Sequence, residues 1–159
     1  MSAAISFLAE RLRAEGEKVV AFFSLLTPDQ WQQLVYTEGA EWRVRNVLAH
    51  FVTAEGGLLK LFESIRNGGP GAPQDFSIDR YNASQQEKAK DLSPQDLLAQ
   101  FRAVRAGTVA WVSSLADADL EKQGRHPFLG LTSLAEMIKM VFLHNALHLR
   151  DLRRIVGRA

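Results

Sequence analysis

The chain has 159 residues, 47% hydrophobic and 23% charged, the balance of a soluble globular domain rather than a disordered or membrane-embedded one. Its formal net charge of +1 provides no broad field for nucleic acid or an anionic bilayer, so neither is an expected partner. With no cysteine, disulfides, thiolate metal sites and a cysteine nucleophile are excluded, and any metal must be held by nitrogen and oxygen.

The first helical pattern places Ile5, Leu8, Leu12, Val19, Phe23 and Leu26 on one face. Its apolar start, Ala3 to Ala9, has no basic leader and runs into Glu10-Arg11-Leu12-Arg13, so it reads as helix rather than signal peptide. No apolar run reaches membrane-spanning length, and the cytoplasm is the expected compartment. Thr27-Pro28-Asp29-Gln30 ends this helix and predicts a short one through Trp31 to Leu34, with Thr27 as cap and Gln30 closing the box.

The second long helix starts near Arg43 and buries Val44, Val47, Leu48, Phe51, Leu58, Phe62 and Ile65. It stops at Asn67-Gly68-Gly69-Pro70-Gly71. The third is announced by Ser93-Pro94-Gln95-Asp96 and carries Leu97, Phe101, Val104, Val109, Val112 and Leu115. The fourth begins near Thr132 or Ser133, with Ser133 and Glu136 as a capping box, and runs to Val156. No internal repeat and no alternating strand pattern is found. The expected class is all-α: one domain over residues 1–159, an antiparallel four-helix bundle. The connection from Asn67 to Leu92 is too long for a hairpin, and as a crossover it makes the order up-down-down-up.

His144 and His148 are four apart on the apolar face of the fourth helix. A buried ring nitrogen without a partner costs about 1–3 kcal/mol, so the pair admits two readings. Either the rings share a metal, or they are core histidines bonded to nearby groups. His50 bears on the choice through depth. At ~1.5 Å per residue it sits about 10 Å inside the second helix, while His148 and His144 sit about 12 and 18 Å from the end of the fourth. Antiparallel second and fourth helices bring the three together; parallel ones separate His50 from His148 by about 12 Å. Thr53, Ala54 and Gly57 beside His50 are small enough to leave room for a ligand.

Three imidazoles leave a coordination position open, as in catalytic sites, and suit zinc, nickel, copper or iron, with zinc or nickel the expected ion. His144-Asn145-Ala146-Leu147-His148 lacks the glutamate of a zincin motif. Asp151, one turn on, is read either as orienting a ligating ring or as pairing with an arginine near the helix end. His126, in Gly124-Arg125-His126-Pro127, is expected in an exposed turn at the far end of the bundle.

Trp42-Arg43-Val44-Arg45-Asn46-Val47-Leu48-Ala49-His50 resembles the entry to the second helix of DinB/YfiT-like proteins. The nearest group is the N-terminal domain of mycothiol-dependent maleylpyruvate isomerase and its relatives. Ile78-Asp79-Arg80-Tyr81-Asn82 resembles their crossover segment, and His144 to Asp151 their closing helix. The resemblance spans nearly the whole chain. It implies a bundle with a three-ligand metal site at His50, His144 and His148, and a homodimer. Arg43 stands where relatives place a serine or threonine cap, and His144 where the isomerase has glutamate. The leading expectation is a metal-dependent enzyme that uses an external low-molecular-weight thiol on a small-molecule substrate, as a transferase or isomerase. Tyr81 and Asn82 are candidates to contact the second reactant, and Arg43 and Arg45 to recognise an anionic one; the plainer alternatives are packing, a helix cap and solvated charge. A metal-dependent hydrolase and a non-catalytic metal-binding bundle remain as alternatives.

Overall fold

Serine and threonine caps set most helix starts in this computed structural model, which describes residues 1–157. α1 (Ala3–Ser24) begins where Ser2 Oγ accepts the Ile5 amide at 3.2 Å. The box at Thr27 forms as expected, with Thr27 Oγ1 and Gln30 Oε1 accepting each other's amides at 3.2 and 2.8 Å, and opens α2 (Pro28–Trp31). α3 (Val44–Arg66) starts without a cap from Arg43; instead Asn46 Oδ1 accepts the Arg43 amide at 2.8 Å. Ser77 caps α4 (Ile78–Ala89) and Ser93 caps α5 (Pro94–Ser113). After the short α6 (Asp117–Leu120), Ser133 caps α7 (Leu134–Val156). There the box is half made, since the Glu136 side chain pairs with Lys139 instead.

α1, α3, α5 and α7 form the four-helix bundle, and the core shows their directions. One apolar cluster joins Ile5 and Leu8 of α1, Phe62 and Ile65 of α3, Val112 of α5, and Leu134 and Met137 of α7. The other joins Val19 and Phe23, Val47 and Phe51, Leu97 and Phe101, and Leu149 and Leu152. Helix starts of α1 and α7 thus share one end with helix ends of α3 and α5. The order is up-down-down-up.

Between the clusters lies a polar layer with one residue or backbone group from each helix. The Arg105 guanidinium is 5% exposed and donates to both carboxylate oxygens of Glu55, at 2.8 and 2.9 Å. It also donates to the Leu12 carbonyl at 2.8 Å and to Asn145 Oδ1. Gly16 lies close beside it: a Cβ there would sit 3.0 Å from Arg105 Cγ and press on that side chain. Burying this charge is tolerable only because nearly all its donors are used.

Further departures from the sequence reading begin with α2, which stops at Trp31 instead of reaching Leu34. Two antiparallel hairpins are present: β1 (Leu34–Tyr36) with β2 (Trp42–Arg43), and β3 (Gln123–His126) with β4 (Gly130–Ser133). Strands of two to four residues are too short for alternation to register. The crossover contains α4, whose polar surface buries only Ala89 and so carries no apolar period. His126 is not an exposed turn residue. It ends β3 at 5% exposure, because its Nδ1 accepts the Phe128 and Leu129 amides at 3.0 and 3.1 Å and the turn folds around the ring. The crossover is tied to that hairpin: Arg125 donates to the Pro70 carbonyl at 2.9 Å and accepts from Ala72 at 2.7 Å.

Candidate metal centre

The antiparallel α3 and α7 bring His50, near the start of one, level with His144 and His148, near the end of the other. His50 is buried and the other two are half-buried. Their Nε2 atoms converge: His144 Nε2 lies 3.1 Å from His50 Nε2 and 2.9 Å from His148 Nε2. One ring nitrogen placed between two others cannot satisfy both with a single straight hydrogen bond. The three ligand atoms lie within 4.8 Å of one another, a grouping that could hold one metal ion.

Electrostatics favour the ligating form. Burial, then the neighbouring imidazoles, lower His50 from 6.5 to about 3. Burial, then His148 and His126, lower His144 to about 4. Burial also lowers His148, outweighing an upward pull from Asp151. All three rings are therefore neutral near pH 7, with lone pairs available. His50 Nδ1 is buried and has no hydrogen-bond partner among the described residues, so Asn82, although beside the ring, does not satisfy it. Trp42 and Phe51 wall the cluster, with ring centroids 4.9 Å from His50 and 5.6 Å from His148.

The expected arginine neighbours of Asp151 are present, and its link to the His148 ring runs through Tyr36. Asp151 has Arg150 and Arg154 nitrogens 3.8 and 3.6 Å away, and it also accepts the Tyr36 hydroxyl at 2.7 Å. The same phenol oxygen lies 2.7 Å from His148 Nδ1. Tyr36 went unseen in the sequence because it sits on β1. The available signal was Val35-Tyr36-Thr37 followed by the Gly39 turn and Trp42, a β-branched and aromatic pair of arms around a glycine.

Asn82 and Tyr81 lie within α4, so neither caps it. Tyr81 donates to the Thr53 carbonyl at 2.8 Å and packs over Gly57, where a Cβ would lie 2.5 Å from its hydroxyl. The space beside His50 at Gly57 thus holds a side chain of this protein rather than a ligand. Arg43 and Arg45 are also engaged. Arg43 donates to the Gln32 carbonyl at 2.6 Å, and Arg45 to the Ala89 and Leu92 carbonyls at 3.0 and 2.9 Å. These bonds tie Arg43 to the end of α2 and Arg45 to the end of α4 and the link after it.

The DinB superfamily model matches residues 9–152. No curated protein sequence matches the chain. Among solved structures, YfiT from Bacillus subtilis, described as "a probable metal-dependent hydrolase with an unusual four-helix bundle topology", is similar at TM-score 0.80 and 18% identity. That likeness covers 99% of this chain and 89% of YfiT. The mycothiol-dependent maleylpyruvate isomerase is similar at TM-score 0.77 and 15% identity, over 96% of this chain and 63% of that one. The colibactin self-resistance protein ClbS, in complex with a double-stranded DNA, is similar at 0.73 and 13%, over 95% and 94%. At these identities the likeness shows the fold alone.

Proposed function

We propose a function from one premise: the chain belongs to the DinB superfamily, and within that bundle it carries three neutral, converging imidazoles. The reading is a metal-dependent enzyme whose His50, His144 and His148 hold one divalent ion, zinc or nickel, and which uses an external low-molecular-weight thiol on a small-molecule substrate. The observation that carries it is the convergence of three Nε2 atoms with contacts of 2.9 and 3.1 Å. When bound, such an ion keeps a coordination position free and acidifies a thiol or water placed there.

The chain's own part is to present lone pairs, exclude water with Trp42 and Phe51, and keep Asn82 of α4 near the His50 ring. A thiol is favoured as the nucleophile because its proton is easily lost, whereas water activation draws on a general base, and among the described residues no carboxylate joins the histidine group. Hydrolysis by activated water is the second reading, supported by the likeness to YfiT. Leu143 and Leu147, about half exposed on α7, offer apolar surface for the expected homodimer, which sedimentation would test.

The test is zinc or nickel titration of the chelator-treated protein, with melting followed throughout. Close to one equivalent should bind per chain, and saturation at 100 times Kd should stabilise the fold by about 2.7 kcal/mol. His50→Ala should abolish both effects. Unchanged melting with metal present, or binding retained in His50→Ala, would overturn the site. With metal bound, turnover that requires added thiol supports the first reading, and turnover without it supports hydrolysis.

A further inference from the structure

We propose that Tyr36 and Asp151 act as a latch on His148, holding it in the tautomer with Nδ1 protonated and Nε2 bare. The purpose of the latch rests on the metal reading above, but its geometry does not. The Tyr36 oxygen lies 2.7 Å from Asp151 Oδ2 and 2.7 Å from His148 Nδ1, and a phenol has one proton to share between them. Asp151, flanked by Arg150 and Arg154, is a carboxylate and can only accept. The phenol proton therefore goes to Asp151.

The contact to His148 is then a hydrogen bond only if Nδ1–H donates into the phenol oxygen. The opposite assignment sets a phenol lone pair against a carboxylate at 2.7 Å, which is repulsive. An ordinary phenol, with a pKa of about 10, keeps its proton near neutral pH.

Two consequences follow at the metal-facing edge. His148 Nε2 is left as a lone pair aimed at the point where His144 Nε2 also arrives, 2.9 Å away. The carboxylate, acting through the phenol, also makes that lone pair more basic and fixes the plane of the ring. Tyr36 belongs to the β1–β2 hairpin, so a hairpin outside the bundle sets the electronic state of a helix-borne ligand. Tyr36 is thus a positioning residue that acts through His148.

The tautomer can be read without metal or activity, from long-range proton–nitrogen correlations of the ¹⁵N-labelled, metal-free protein near neutral pH. The expected spectrum gives His148 a protonated Nδ1 and a bare Nε2. In Tyr36→Phe the ring should relax to a tautomer mixture, and affinity for zinc ion alone should fall about 10–100-fold. Asp151→Asn, which keeps the shape but removes the charge, should move both readouts in the same direction. It keeps the proposal testable should Tyr36→Phe fail to fold.

A wild-type His148 bare at Nδ1, or a fixed tautomer unmoved in both variants, overturns the latch. If the tautomer is fixed in the wild type and released in Tyr36→Phe while no zinc binds to either, the latch stands and the metal reading fails.

Discussion

Arg105 is the residue whose removal should cost most. Arg105→Met leaves the Glu55 carboxylate buried, at 4% exposure, with no counter-charge, and is expected to destabilise the protein by about 3–5 kcal/mol in chemical denaturation. Adding Glu55→Met should recover most of that loss, because an apolar pair of similar volume needs no ion partner. If the double variant is no better than the single one, the loss lies in packing rather than in the stranded charge. The histidines give a pH signature of their own. Their folded values lie below the ordinary 6.5, at about 3 for His50 and about 4 for His144, so the unfolded chain takes up protons first. Stability of the metal-free protein should be level above pH 6.5 and fall as pH drops from there towards 4, by about 1.4 kcal/mol per pH unit for each ring that stays neutral. Urea midpoints across that range check the sign; a flat profile would contradict it. Of these residues, the three histidines were legible from spacing and depth, because helix geometry converts sequence number directly into height. Arg105 and Glu55 were not, since one charged residue in a helix period reads as surface until its partners on other helices are known.

Among the elements, α4 should be the least stable helix. It buries only Ala89 and is held by single bonds: Tyr81 to the Thr53 carbonyl, the Gln86 pair with Asn46, and Arg45 to the Ala89 and Leu92 carbonyls. Its amides should exchange with deuterium well before those of α3 and α5, which lie in the core. Gly57→Ala should widen that difference, because its Cβ would meet the Tyr81 hydroxyl at 2.5 Å and push α4 away from α3. Equal exchange in the variant and the wild type would show that Tyr81 does not hold the helix. The four long helices could be read from their apolar faces, and Thr27, Ser93 and Ser133 from cap chemistry. α4 was hidden by its polarity and the hairpins by their length, and Tyr36 was hidden with them.

At the scale of the molecule, one topological choice carries the site. A crossover of this length lets α3 and α5 run the same way, and that makes α3 antiparallel to α7 and sets His50 against His144 and His148. The sequence indicated this order because Asn67 to Leu92 exceeds a hairpin. It did not show the path, which is pinned where Gly71, at φ +92°, runs beside Arg125 too closely for any side chain.

The Arg105 layer divides the bundle into ends with different evolutionary freedom. On one side, Ile5, Leu8, Phe62, Leu134 and Met137 need only fill volume, so that end can drift among apolar residues while the total is kept. On the other, Tyr36, His50, His144, His148 and Asp151 are bound by the positions of single atoms. Sequence divergence among proteins built this way should therefore concentrate at the first end, with the polar layer as the boundary beyond which change becomes costly.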